Sequence, residues 1–271
     1  MEKKNIFILG VGSDIGKELA KRYLAHENFY VAGTYRRKSS VADLSMGKNL
    51  KLFRCDISSQ ADIKMAAAAY GRLQKGWDIF ISCAGTLEPV GDFFKTDFDA
   101  WEKSVTVNCL GQLRFLHSIY QYRKKRATAH VVFFTGGGTN SAMTHYSAYC
   151  ASKIFLMKAC ELLDDENTGL NVFIVGPGWV RTKILNQTLK NPKAAGKSYG
   201  RTINFLSSAD PGTSHDDIFE CINWCIKQGR AVMGGRNISV VHDAWRNGGK
   251  TLIQQLRRDP NKFKLRRFKN S

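Results

Sequence analysis

Tyr149 and Lys153 stand four residues apart in Tyr149-Cys150-Ala151-Ser152-Lys153. On a helix, side chains at that spacing share one face, a turn apart. An ammonium held there favours the ionised form of a phenol whose ordinary pKa is about 10. A phenol so placed can hand a proton to a carbonyl oxygen or take one from an alcohol, which is general acid–base work. Apolar residues recur at helical spacing through 147–164, and the stretch is predicted to be a helix.

A second informative run is Leu9-Gly10-Val11-Gly12-Ser13-Asp14-Ile15-Gly16, between an apolar run and a helical pattern. Glycines let the backbone turn tightly beside a pyrophosphate, and a helix N-terminus offers free N–H groups and partial positive charge. A dinucleotide site is therefore expected on Gly10, Gly12, Ser13, Ile15 and Gly16, although the third glycine falls one residue later than in G-x-G-x-x-G. Asp14 caps the helix, faces solvent or faces the phosphates, where it would repel them. The next apolar run ends in Gly33-Thr34-Tyr35-Arg36-Arg37-Lys38, with no acid. An acid there would accept from the ribose 2′-OH of NAD, whereas arginine suits a 2′-phosphate. NADP(H), gripped by Arg36 and Arg37, is the cofactor expected; a solvated basic loop is the alternative.

These groups need elements to position them. Strand-like runs at 5–9, 29–34, 50–54, 78–82, 130–135, 171–175 and 237–241 alternate with helical patterns at 15–25, 61–74, 98–123, 147–164 and 215–227. Several runs are almost continuously apolar, such as Ile6-Phe7-Ile8-Leu9 and Val131-Val132-Phe133-Phe134, as strands covered on both faces are. The basic start followed by Ile6 to Leu9 is read as a buried first strand, not a secretory signal. The alternation predicts an α/β fold: a Rossmann-type, doubly wound sheet of about seven parallel strands in a single domain over 1–271. Residues 181 to about 210 show no clear periodicity and follow a strand end, where ligand-binding loops sit.

Together these motifs resemble the short-chain dehydrogenase/reductase family, from Ile6 to about Val241. The glycine turn is similar to its T-G-x-x-x-G-x-G, with Leu9 for Thr and Asp14 for the middle glycine. Tyr149 and Lys153 match its Y-x-x-x-K pair. Asn108 matches the asparagine that holds a water linking to the lysine. The resemblance implies that Lys153 also holds the nicotinamide ribose and that Asp56, beside Ile57, contacts adenine. Ser82-Cys83-Ala84-Gly85 stands where the family has N-N-A-G, so Ala84 and Gly85 would pass the cofactor with fewer side-chain bonds. Pro177-Gly178-Trp179-Val180-Arg181-Thr182 is similar to P-G-x-V-x-T, which makes Pro177, Gly178, Val180 and Thr182 the expected carboxamide holders. One position departs. Thirteen residues before the tyrosine, where the family has a serine that orients the substrate oxygen, stands Gly136; Thr135 is the hydroxyl expected to replace it, with Thr139 and Ser141 as alternatives.

Net charge is +18, and its distribution matters more than its sum. The segment 181–213, which covers substrate in relatives, carries Arg181, Lys183, Lys190, Lys193, Lys197 and Arg201 and no acid before Asp210. A basic cover favours a small anionic substrate, such as an acidic sugar, a nucleotide-linked sugar or an acyl group on an acidic carrier; a solvated loop is the bland alternative. The basic C-terminal extension, about 249–271, includes Phe263 and Phe268 but no stacking motif, so nucleic acid is not expected. No apolar run approaches the ~20 residues of a membrane span. Seven scattered cysteines without a CxxC pair read as reduced core thiols, in a cytoplasmic protein. Cys221 and Cys225 lack a second ligand pair, and no metal is expected. The expected activity is NADP(H)-dependent hydride transfer to or from a carbonyl or alcohol carbon, in a homodimer or homotetramer. A 3-ketoacyl-carrier thioester reductase and a catalytically weak NADP-binding sensor or scaffold are the alternatives.

Overall fold

The computed structural model describes residues 3–44 and 47–267. Met1, Glu2 and the end of the basic C-terminal extension, Phe268 included, lie outside the described residues. Seven strands form one parallel sheet: β1 (Lys4–Leu9), β2 (Phe29–Tyr35), β3 (Leu50–Arg54), β4 (Ile79–Ser82), β5 (Ala129–Phe134), β6 (Leu170–Gly176) and β7 (Asn237–Ser239), in the order β3-β2-β1-β4-β5-β6-β7. The run Ile6 to Leu9 is buried throughout β1. Its alternation divides the core: Ile6 and Ile8 join one apolar cluster with Val132 and Phe173, while Phe7 and Leu9 join the other with Val131 and Val172. Burial on both faces is why the strands read as unbroken apolar runs.

The helices are α1 (Asp14–Leu24), α2 (Gln60–Gly71), α3 (Phe98–Val105), α4 (Gly111–Ile119), α5 (Ser147–Glu166), α6 (Leu185–Leu189), α7 (Lys197–Ser207), α8 (His215–Gln228), α9 (Arg230–Met233) and α10 (Lys250–Arg258). Side chains start several of them: Ser13, Ser59, Asp97 and Ser214 accept from Gly16, Asp62, Ala100 and Asp217 backbone N–H groups. The chain order reverses between β1 and β4, and at such a switch point a crevice opens outside the carboxyl ends of the strands. The glycine turn leaves β1 into that crevice.

Three expectations are corrected. The predicted helix 98–123 is divided by a π-helical turn, Thr106–Leu110, because Gly111 N–H reaches back to Thr106 O while Asn108 and Gln112 bond to neighbouring loops. Such turns concentrate at functional sites. The segment after 181, whose sequence shows no clear periodicity, carries α6 and α7. β7 stops at Ser239, whose N–H is taken by Asp243 Oδ2 at 2.6 Å, so the chain turns before Val241.

Candidate active site

α5 carries Tyr149 and Lys153 beneath the carboxyl end of β5. Both are buried, at 8% and 4% exposure. The Lys153 ammonium lies 5.5 Å from the centre of the Tyr149 ring and donates to the carbonyl of Phe134, the last residue of β5, at 2.8 Å. Burial pushes Lys153 down to about 8 and pushes the Tyr149 phenol up. The pair is thus a proton donor and a cation whose charge water does not screen.

Gly136 explains how the phenol fits. A Cβ built on Gly136 would lie 1.8 Å from Tyr149 Oη, so the hydroxyl fills the space in which a side chain there would begin. Thr135 is buried with its methyl toward Gly176, and its Oγ1 makes no hydrogen bond among the described residues. Thr139 Oγ1 donates to Gly136 O at 3.3 Å. The structure therefore joins neither Thr135 nor Thr139 to Tyr149 by a hydrogen bond.

Asn108 is fully buried in the π-helical turn. Its Oδ1 accepts from Thr86 N–H at 2.9 Å, and its Nδ2 donates to Thr86 O at 2.9 Å and Ser104 Oγ at 3.1 Å. These bonds tie the side chain to the loop after β4. Gln112 completes the clamp: its Nε2 donates to Ala84 O and Asn108 O, while its Oε1 accepts from Ser82 Oγ at 2.7 Å. Ala84 and Gly85 are set by these bonds, since a Cβ on Gly85 would lie 3.3 Å from Asn108 Oδ1. A lone Gln within an apolar helical pattern was the only sequence cue to this.

At the glycine turn, Gly10 has φ +86°, and a Cβ there would approach Ala84 N to 3.1 Å. Thr34, missed in the sequence, anchors the turn to β2 by accepting from Gly10 N–H through its Oγ1 at 3.0 Å and from Val11 N–H through its carbonyl at 2.7 Å. Ser13 caps α1, Ile15 lies in its first turn, and Gly16 lets the helix pack on Gly10 O. Gly12 has its own structural reason, because a Cβ there would meet Ser40 Oγ at 2.3 Å. Arg36 and Arg37 follow β2, exposed. Asp56 accepts from Ser58 N–H and Oγ; against the upward push of burial these bonds, helped by Arg36, hold its carboxyl below the usual range. Ile57 lies under α4, where a Cβ on Gly111 would meet its carbonyl. The first turn of α1, the side-chain-free approach at Gly10 and the two exposed arginines fit a dinucleotide.

Comparison with known proteins bears on the family and the fold. The family model for short chain dehydrogenases matches residues 4–193. The chain belongs to that family. Short-chain dehydrogenases are oxidoreductases that work with nicotinamide dinucleotides. Among relatives, Dehydrogenase/reductase SDR family member 7B of Danio rerio is 26% identical over 87% of this chain and 78% of that protein. Short-chain dehydrogenase reductase 3a of Arabidopsis thaliana is 23% identical over 94% and 98%. Glycine betaine reductase ATRR of Emericella nidulans is 28% identical over 82% of this chain, which spans only 17% of that protein. Among solved structures, the YIR035C short chain dehydrogenase/reductase of Saccharomyces cerevisiae superposes with a TM-score of 0.81 at 20% identity, covering 90% of this chain and 98% of that one.

In this short-chain dehydrogenase the covering segment sits directly on the tyrosine. Tyr149 packs with Leu87, Tyr146 and Ala195, flanked by Ile184 and Tyr199. Gln187 Oε1 accepts from Leu87 N–H at 2.6 Å, and Thr188 shares a hydrogen bond with Tyr146 Oη at 2.9 Å, pinning α6 over the site. Neither residue carried a sequence signal. Pro177 and Gly178 follow β6, Val180 is buried, and Thr182 lies beyond, its Oγ1 turned to Val180 O at 3.4 Å. Two of the six basic residues of the cover are bonded to the protein. Arg181 donates to the carbonyls of Phe205, Leu206, Ser208 and Asp210 at the end of α7, and Lys183 pairs with Asp14. All six are exposed, and Lys190, Lys193, Lys197 and Arg201 have no bonded partner among the described residues. Among the described residues no helix is long and apolar enough to cross a membrane, and no group of three His, Cys, Asp or Glu is arranged for a metal.

Proposed function

We propose that the chain is an NADP(H)-dependent dehydrogenase or reductase that moves hydride between nicotinamide and a carbonyl or alcohol carbon of a small anionic substrate. The observation that carries this is the buried Tyr149–Lys153 pair, anchored on Phe134 O at the carboxyl edge of the sheet from which the glycine turn also leaves. Bound nicotinamide supplies or accepts the hydride; the proton falls to the protein. Tyr149, kept protonated by burial, donates to the carbonyl oxygen as hydride arrives, and the Lys153 ammonium steadies the phenolate left behind. In the reverse direction the Tyr149 phenolate, held beside the Lys153 ammonium, takes the alcohol proton as hydride leaves for the cofactor. Asn108 holds the loop over which the cofactor passes, and Thr135, whose hydroxyl is buried beside the end of β5, is the candidate to orient the substrate oxygen once it turns toward the site.

Gly10, Gly12, Ser13, Ile15 and Gly16 hold the pyrophosphate. Asp56, Ile57, Ala84 and Gly85 line the adenosine side, and Pro177, Gly178, Val180 and Thr182 hold the carboxamide. Arg36 and Arg37, with no acid at the end of β2, favour the 2′-phosphate of NADP(H). Lys190, Lys193, Lys197 and Arg201, exposed and without a bonded partner among the described residues, favour an anionic substrate, an acidic or nucleotide-linked sugar before an acyl-carrier thioester. Exposed Phe98, Leu110, Phe155 and Leu162 on α3, the π-helical turn and α5 favour a homodimer or homotetramer. Seven free cysteines favour the cytoplasm. A second reading, an NADP-binding sensor or scaffold, draws on the absence of a side chain at Gly136. Measuring NADPH oxidation against keto-sugars and acetoacetyl thioesters separates them: turnover with either class supports an enzyme, and tight NADPH binding without any turnover supports the scaffold.

A further inference from the structure

Asp14 stands in the phosphate-binding turn, where the family has glycine, and a carboxylate facing a pyrophosphate would repel it. The structure turns it elsewhere. Asp14 Oδ2 accepts from the backbone N–H of Lys183 at 2.6 Å, and its Oδ1 lies 3.5 Å from the Lys183 ammonium. The bond joins residues 169 apart in sequence. Lys183 directly follows Thr182, so the bond fixes the end of the segment proposed to hold the carboxamide against the turn proposed to hold the pyrophosphate.

We infer that Asp14 is a positioning residue: a clasp that fixes the spacing between the two halves of the dinucleotide site and holds the covering segment at its root. Two features make the clasp effective. The carboxylate sits in the first turn of α1, where the helix dipole favours an anion, and its side chain is only 22% exposed, so the charged hydrogen bond is partly shielded. On the other side, Arg181 is already locked to the carbonyls at the end of α7. Lys183 is therefore delivered to Asp14 by a stiff segment, and the cost of ordering it is met before the bond forms. A glycine at this position has no carboxylate with which to make the bond. This clasp rests on the cofactor reading above only for its consequence, not for its existence.

The test compares the full-length protein with Asp14→Gly, Asp14→Ala and Asp14→Asn. Amide hydrogen exchange of peptides spanning Lys183 reads the clasp, and NADPH titration reads its consequence. Asp14→Gly and Asp14→Ala should speed exchange at Lys183 by about tenfold or more and weaken NADPH binding by a similar factor. Asp14→Asn, which keeps an acceptor for the Lys183 N–H, should restore most of both, and the Michaelis constant for NADPH should move more than kcat. Unchanged exchange in Asp14→Gly, or tighter NADPH binding once the carboxylate is gone, would overturn the proposal. If the unaltered protein binds no nicotinamide dinucleotide, the cofactor reading fails, and exchange at Lys183 alone decides the clasp.

Discussion

The Tyr149 hydroxyl occupies the place where a side chain on Gly136 would begin, 1.8 Å from the Cβ position. The glycine is thus required by the tyrosine. Restoring the family's serine should not repair the site, because the phenol would have to move by more than an ångström to admit even a methyl group. Gly136→Ser and Gly136→Ala should both lower kcat by about 100-fold, the cost of a misplacement of that size. A serine variant that turns over faster than the unaltered protein would show instead that only a hydroxyl was missing.

Lys153 sets the pH response. Burial lowers its pKa to about 8, so the cation persists below that value and is lost as pH rises through it. Carbonyl reduction should therefore decline above about pH 8, while the phenol, pushed upward by burial, stays protonated over the same range. Lys153→Met should lower kcat by about 10²–10⁴-fold and remove that limb of the profile. A profile still falling near pH 8 in the variant would assign the limb to another group.

Cofactor preference should follow the end of β2. Replacing Arg36 and Arg37 together by Glu should weaken NADPH binding by roughly 10- to 100-fold, the loss of charge-assisted bonds to a phosphate, and leave NADH within a few-fold. Titration of both dinucleotides against both proteins checks this. Equal losses for NADPH and NADH would mean that the arginines hold the loop and not the 2′-phosphate.

Acid stability should follow a pair far from the site. Glu161, buried on α5, is bonded by Arg266 of the C-terminal extension through both guanidinium NH groups and by Lys158 at 2.6 Å. Arg266 first, against burial and with Lys158, lowers the carboxyl from 4.5 to about 2. A depressed carboxyl stabilises the fold above its unfolded value, and that stability drains away as pH falls from about 4.5 toward 2. Because Arg266 stays 36% exposed, water screens the pair, and Glu161→Gln should cost only about 1–3 kcal/mol near pH 7. Thermal melts should show the difference shrinking below pH 4.

The sheet was legible because strands buried on both faces cannot hide their composition; Ile6-Phe7-Ile8-Leu9 is apolar whichever way each residue points. The tyrosine, lysine and glycine turn were legible because their chemistry depends on spacing within one element. What escaped depends on partners distant in sequence. The break in the helix at Asn108 comes from bonds to Thr86, and Arg181 reads as a substrate cation until α7 brings four carbonyls to it. Gly136 looks like a lost function until Tyr149 is seen filling its space. Asp14 offered three orientations, and only Lys183, far along the chain, selects among them.

The central claim is that the Tyr149 phenol moves the proton that accompanies hydride. NADPH oxidation by Tyr149→Phe, measured with a keto-sugar or acetoacetyl thioester that the unaltered protein reduces, tests it most directly, with NADPH affinity measured alongside. The account predicts affinity within a few-fold of the unaltered protein and turnover reduced by about 10²–10⁴-fold or more. Turnover close to that of the unaltered protein would contradict it.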